Sequence, residues 1–270
     1  KVIEKNKNRP FFLYLSHLAV HNPLQALKSD VEQMSHMPGH NLQVYSGMIA
    51  ALDRSVGKVV AKLKDLEIHG KTLIIFTSDN GGANYIELED INKPYRGWKI
   101  SFFEGGIRVP YIISWPDEIN PGQKSDNPVH HFDIFSTIAS AAKIKPSNHK
   151  EIDGVNLLPY IKKEIASKPH QTLFWRSGNH QSVLHGKWKY IISKKENLRW
   201  LFDTSLDPME KNNLIKTHPN EASSIQKTLD KFNSEQKEPL FPAAYDVPIL
   251  IDKYDGQEYE EGDEYIYWSN

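Results

Sequence analysis

Apolar positions along the 270-residue chain fall into contrasting patterns. Pro10-Phe-Phe-Leu-Tyr-Leu-Ser16 and Thr72-Leu-Ile-Ile-Phe-Thr77 are continuous apolar runs of strand length, which fit strands buried on both faces of a parallel sheet. Between them, Val44, Met48, Leu52, Val56, Val59, Leu63 and Leu66 recur at three- and four-residue steps. That stripe predicts one long helix from about Asn41 to Leu66, closed by Gly70. Strand, helix and strand at this spacing predict a βαβ unit with a right-handed crossover. Val109–Ser114 reads as a third strand halted by Trp115-Pro116, and Asp133 as the N-cap of a helix through Ala142. Pro146 to Asp153 reads as a polar connector, and Leu157–Ile161 as a short helix. The polar lead from Lys1 straight into a buried-strand pattern suggests a chain that starts inside a larger unit.

From Thr172 the pattern changes. Thr172–Arg176, Ser182–Leu184, Trp188–Ile192 and Trp200–Asp203 are short strand candidates separated by Gly, Asn and Lys/Glu clusters. A helix over about Asn220–Glu235 follows, with Ile225, Leu229 and Phe232 on one stripe. This predicts a small antiparallel sheet plus one helix. The last stretch holds seven acidic residues between Asp252 and Glu264. It is expected to be a solvated wrap, with Tyr254, Tyr259, Tyr265, Tyr267 and Trp268 packing on the body, or alternatively to approach the substrate cleft. The units expected are thus 1–165 (α/β core), 166–237 (antiparallel sheet and helix) and 238–270 (acidic, aromatic tail).

Charge narrows the partners. With 33 Lys+Arg against 34 Asp+Glu, the chain lacks the basic balance of a nucleic-acid binder but keeps room for a local anion pocket. The absence of cysteine excludes disulfides, Cys-ligated metal and a thiol nucleophile. No apolar run approaches the ~20 residues of a membrane span, so no membrane partner is expected.

Three stretches could carry chemistry. In Thr77-Ser78-Asp79-Asn80-Gly81-Gly82, a carboxylate and an amide follow a buried strand, where open α/β sheets place ligands. Asp79 and Asn80 supply hard oxygens suited to Ca²⁺ or Mg²⁺, although the same residues also make a plain turn. His21, just past the first apolar run, could give up a proton or hold an anion, or could simply face solvent. The segment Tyr95–Arg108 sets Arg96, Trp98, Lys99, Glu104 and Arg108 among aromatics and glycines. That suits a tetrahedral oxyanion with Lys99 as point charge, or a solvated loop whose Glu and Arg pair. Trp98 and Trp175 are placed to stack on a sugar, whereas His130 and His131 read as structural.

Together these stretches resemble the type I (formylglycine-dependent) sulfatases of the alkaline phosphatase superfamily. The resemblance rests on Pro10–Gln25, Ala51-Leu-Asp-Arg-Ser-Val-Gly57, Leu73–Gly82 and Arg96–Pro110. Pro128–Thr137, Asp153-Gly-Val-Asn-Leu-Leu-Pro159 and Leu201–Leu214 add to it, in the family's order over roughly residues 10 to 235. It implies an α/β fold of the alkaline-phosphatase type, a mostly parallel sheet flanked by helices, here incomplete, beside the small antiparallel sheet. It further implies a sulfuric ester hydrolase, acting on a sulfated carbohydrate or small molecule. Asp79 and Asn80 match calcium ligands, His21 the histidine at the ester oxygen, and Lys99 the sulfate-binding lysine; Arg96 and Trp98 are added as substrate contacts. The segment whose first residue becomes formylglycine, an early Asp pair and a further Lys and His belong to an N-terminal half that these residues do not contain. The chain alone is therefore expected to be inactive, with that half as its partner. A phosphate or phosphonate ester hydrolase of the superfamily and a non-catalytic anionic-glycan binder are the competing readings. Family habit places the protein in the periplasm, outside the cell, or in a lysosome.

Overall fold

A computed structural model describes residues 1–145, 151–238, 240–241 and 246–269; residues 146–150 of the expected connector lie outside these. In chain order, α1 (Val2–Asn6) and α2 (Lys28–Gln33) precede the long α3 (His40–Asp65). Next come β1 (Ile74–Thr77), α4 (Glu104–Ile107), β2 (Tyr111–Ser114), α5 (Asp133–Ala141) and α6 (Leu158–Ile161). The strands β3 (Thr172–Ser177), β4 (His180–His185), β5 (Trp188–Ser193) and β6 (Leu198–Asp203) then run consecutively. The chain ends with α7 (Pro219–Glu235), β7 (Asp246–Leu250) and β8 (Tyr265–Ser269).

The α/β class is the expected one, but the pairing of the first half differs. β1 and β2 pair antiparallel, with Ile74 opposite Ser114 and Thr77 opposite Tyr111. Among the described residues no strand pairs in parallel, so the βαβ unit is not formed. The run Pro10–Ser16 joins no ladder among the described residues, and Phe12 and Tyr14 are 71% and 80% exposed. A strand suited to burial on both faces needs neighbours at both edges, and the described residues provide none there.

Asp133 also takes another role than the expected cap. It is the first residue of α5 and is wholly buried, with Phe132 at the cap position. Its carboxylate accepts the backbone N–H groups of His130 (2.7 Å) and Val155 (2.9 Å), and His170 Nε2 lies 2.9 Å from both oxygens. The carboxylate thus ties three segments together at one buried point.

The second half follows from two-residue alternation. Strands β3 to β6 form an antiparallel meander in sequence order. One face brings Val183, Tyr190, Ile192 and Leu201 against Ala222, Ile225 and Leu229 of α7. The other packs Ile191, Trp200 and Phe202 on Phe103, Ile251 and Ile266. Ile251 and Ile266 flank the acidic stretch and anchor it to the body, while most of residues 252–264 stay exposed. The β7–β8 hairpin turns Ile249 and Ile266, a directly opposed pair, into the core. Each fully buried aliphatic side chain is worth about 1.5–3 kcal/mol, which holds the tail against its charge. The opposed pairs Leu250/Tyr265 and Pro248/Tyr267 lie on the hairpin's other face. Among the described residues, no helix is long and apolar enough to cross a membrane.

Candidate functional site

The site grows from the point where β1 ends. Beyond Thr77, the Ser78 hydroxyl donates to the Asn80 carbonyl (2.9 Å), and the Asn80 N–H donates to Asp79 Oδ1 (3.1 Å). His131 Nε2 lies 2.9 Å from the Ser78 carbonyl and donates to it, so this histidine positions the turn from the loop before α5. The turn is then laid against the 96–106 loop by backbone contacts. Gly81 N–H donates to the Gly106 carbonyl, and Lys99 N–H to the Gly82 carbonyl, both at 2.9 Å. Asn92 brackets the junction: its Oδ1 accepts Gly82 N–H, and its Nδ2 donates to the carbonyls of Gly82 and Gly97. A Cβ on Gly81 would stand 1.7 Å from the Gly105 carbonyl oxygen, so only glycine lets the two chains meet. Asp79, Asn80 and Lys99 are thereby brought onto one junction.

Asp79 is exposed. The Asn80 amide is fixed by its Nδ2 donating to the Gly81 carbonyl (2.8 Å), which leaves Oδ1 as a free acceptor. Two hard oxygens side by side suit part of a Ca²⁺ or Mg²⁺ set. They do not complete one: among the described residues, no three His, Cys, Asp or Glu side chains gather as a metal site.

The Lys99 ammonium forms no ion pair among the described residues and lies 5.9 Å from the centre of the Tyr85 ring. Its neighbour Ile100 holds φ at +89°, a strained value for a β-branched residue. His21 is exposed, in the loop after the Pro10–Ser16 run. Its Nδ1 lies 2.8 Å from the Asn22 carbonyl, which can only accept, so Nδ1 carries hydrogen and Nε2 is left to face the surroundings. No described hydrogen bond or ion pair joins His21 to Asp79, Asn80 or Lys99.

Two expected substrate contacts have other work. Arg96 donates to Asp252 (2.7 and 2.6 Å) and to Glu264 (2.5 Å), and sits 5.0 Å from the Phe103 ring centre. Burial opposes its charge, but the hydrogen bonds and charges of Asp252 and Glu264 outweigh burial and raise its pKa. It clamps the tail to the loop. Trp98 is 8% exposed and has no free face for a sugar. Trp175 is partly buried, its ring 5.9 Å from that of His130.

Glu104 anchors the loop from below. Lys189, wholly buried on β5, lies 2.6 Å from Glu104 Oε1 and 2.9 Å from Glu210 Oε1. Glu210 Oε2 accepts the Glu104 N–H at 2.6 Å, and Arg108 reaches Glu104 Oε2 at 3.3 Å. The Lys189–Glu210 contact is an ion pair poorly aimed for a hydrogen bond, since Glu210 Oε1 finds no aligned donor. Burial raises the carboxyl pKa of Glu104, but Lys189 and Arg108 reverse this and hold it low. For Glu210 burial prevails and the pKa is raised. The Lys189 ion pairs and the Arg96 clamp were not legible in the sequence, because each joins polar residues far apart along the chain.

Backbone contacts thus bring Lys99, whose ammonium has no ion pair among the described residues, and the Asp79–Asn80 turn onto one junction of an α/β frame. The family description Sulfatase matches residues 1–144, and N-sulphoglucosamine sulphohydrolase, C-terminal, matches residues 97–238. The chain belongs to the sulfatase family. It is 32% identical over 223 residues to human steryl-sulfatase, covering 80% of this chain and 37% of that protein. Against N-acetylgalactosamine-6-O-sulfatase of Bacteroides thetaiotaomicron it is 28% identical, covering 84% and 48%. The crystal structure of Ps i-CgsB superposes with a TM-score of 0.81 at 31% identity, over 89% of this chain and 54% of that one; its complex with k-i-k-neocarrahexaose gives 0.80 at 30%. The phosphonate monoester hydrolase of Agrobacterium radiobacter shares the fold at 0.56 and 22%. The chain thus spans about half or less of the length of these relatives.

Proposed function

We propose that the complete protein is a sulfuric ester hydrolase acting on a sulfated carbohydrate, and that this chain carries its leaving-group side and part of its metal site. One observation carries the reading: the junction that places Lys99 against the Asp79–Gly82 turn through Lys99 N–H···O=C Gly82 and Gly81 N–H···O=C Gly106. The unpaired ammonium of Lys99 binds sulfate oxygens and steadies charge on the departing oxygen. His21, with Nδ1–H committed to the Asn22 carbonyl, offers Nε2 to carry a proton to that oxygen. Asp79 and Asn80 would hold calcium, which when bound neutralises negative charge on the sulfate. The remaining metal ligands and the formylglycine nucleophile belong to an N-terminal half. The exposed Phe12 and Tyr14, on a run that joins no ladder among the described residues, support this, because they present a strand for that half to cover. A carbohydrate substrate is favoured by the Ps i-CgsB complex and by the hexosamine sulfatases among the relatives.

The test is the complete protein against the 270-residue chain, with 4-nitrophenyl sulfate and 4-nitrophenyl phosphate side by side. The complete protein is expected to prefer the sulfate and the chain alone to turn over neither. Lys99→Ala is expected to lower kcat/KM for the sulfate by roughly 10²–10³-fold. Preference for the phosphate, or sulfate turnover by the chain alone, would overturn the proposal.

A further inference from the structure

We propose that a cavity between Asn84 and the C-terminal hairpin is a subsite for an uncharged sugar ring next to the sulfated one; this rests on the carbohydrate reading above. The cavity has a volume of about 390 Å³ and is lined by Asn84, Asp255 and the tyrosines 254, 259, 265 and 267, within the size range of small-ligand sites. The hairpin forms one wall: Tyr265 and Tyr267, their rings 5.9 Å apart and nearly perpendicular, line it with Pro248, Ile249 and Leu250, while Ile266 is buried in the core. Phenol rings offer apolar faces to the C–H side of a pyranose and hydroxyl groups to its polar rim.

Charge selects the ligand. Lys253, the one cation among the described lining residues, is held by Glu260 (2.9 Å), Asp263 (2.7 Å) and the Glu258 carbonyl (3.0 Å), and Lys195, 3.8 Å from the centre of the Tyr267 ring, is held by Asp246 (3.0 Å). Asp255 lines the cavity and pairs with no cation among the described residues, while the nearby acids Asp252 and Glu264 are taken by Arg96 and Glu260 and Asp263 by Lys253. A sulfate would meet net repulsion here, whereas neutral hydroxyls can donate to a carboxylate. Asn84 adds an independent observation. It is 3% exposed, it lines the cavity, and its Oδ1 has no hydrogen-bond donor. A buried acceptor without a donor is costly, and a sugar hydroxyl supplies one.

Position links the cavity to the junction. The Asn84 carbonyl accepts the Asp255 N–H at 3.1 Å. Tyr85, the next residue, has its ring 5.9 Å from the Lys99 ammonium. The hairpin lies beyond residue 238, outside both family matches.

The experiment is saturation-transfer NMR and calorimetry on the 270-residue chain with neutral disaccharides of galactose, N-acetylgalactosamine, glucose and fucose and their monosulfated counterparts. At least one neutral sugar is expected to bind, more tightly than its sulfated form. Tyr265→Ala and Tyr259→Ala are each expected to weaken it about tenfold. Tyr259 is 62% exposed, so its removal leaves the fold intact. Binding of none of the neutral sugars, preference for the sulfated forms, or unchanged affinity in Tyr259→Ala would overturn the proposal. Failure of the sulfatase reading shows elsewhere, as absent 4-nitrophenyl sulfate turnover by the unaltered complete protein while the chain still binds the neutral sugar.

Discussion

Replacing Lys189 with Met removes the one ammonium between two buried carboxylates. Glu104 and Glu210 would then face each other with only Arg108, 3.3 Å from Glu104 and 43% exposed, to offset them. Breaking a buried ion pair from one side costs about 3–5 kcal/mol, because the remaining charge is left desolvated. Against a typical domain stability of about 5–15 kcal/mol this is a third or more of the total. Urea unfolding at pH 7 should show a midpoint lowered accordingly at unchanged slope. The loss should reach the site as well. Glu104 begins the short helix whose Gly106 carbonyl holds Gly81, so amide exchange at Gly81 and Lys99 should accelerate. The pH dependence has a definite sign. With Lys189 gone, the folded carboxyl pKa values rise above the ordinary 4.5. The penalty is therefore present above that value, grows as pH rises, and shrinks as pH falls toward it. The deficit should be smaller at pH 5 than at pH 7. A loss under about 1 kcal/mol at pH 7, or the same loss at both pH values, would show that these carboxylates are hydrated and the reasoning wrong.

Other perturbations test other links. Gly81→Ala puts a methyl into the Gly105 carbonyl and should cost about 3 kcal/mol by thermal melt; a near-neutral effect would mean the turn and loop do not touch. Arg96→Ala frees Asp252 and Glu264. Because those carboxylates are 54% and 40% exposed the loss should be only about 1–2 kcal/mol, but cleavage of segment 252–264 by a Glu-specific protease should accelerate, and unchanged cleavage would refute the clamp. His180 is stacked on Phe102 with neither ring nitrogen hydrogen-bonded, and burial, aided by the Lys189 charge, pushes its pKa down to about 3. The unfolded imidazole takes up a proton below about pH 6.5 and the folded one does not, so stability is lost as pH falls through that window, about 2 kcal/mol of it by pH 5. His180→Leu should flatten urea midpoints compared at pH 7 and pH 5; an undiminished slope would place the acid sensitivity elsewhere.

Local pattern alone determined much of this protein. The long helix, the four short strands, the helix after them and the Asp-Asn-Gly-Gly turn all followed from periodicity and turn chemistry, which act over a few residues. The family resemblance named Asp79, Asn80 and Lys99, and the structure puts them on one junction. Tertiary contact decided the rest. Nothing in Pro10–Ser16 reveals that it finds no ladder partner among the described residues, and the antiparallel pairing of β1 with β2 is a matter of register between residues 34 or more apart. Arg96 looked like an anion ligand until Asp252 and Glu264, more than 150 residues away, took its guanidinium. The charged stretch 252–264 reads as solvated and is mostly exposed, but only packing shows that Ile251 and Ile266 at its two ends are buried in the core. Side-chain chemistry is written in the chain, but which charge meets which, and which face meets water, is settled only when distant segments pack.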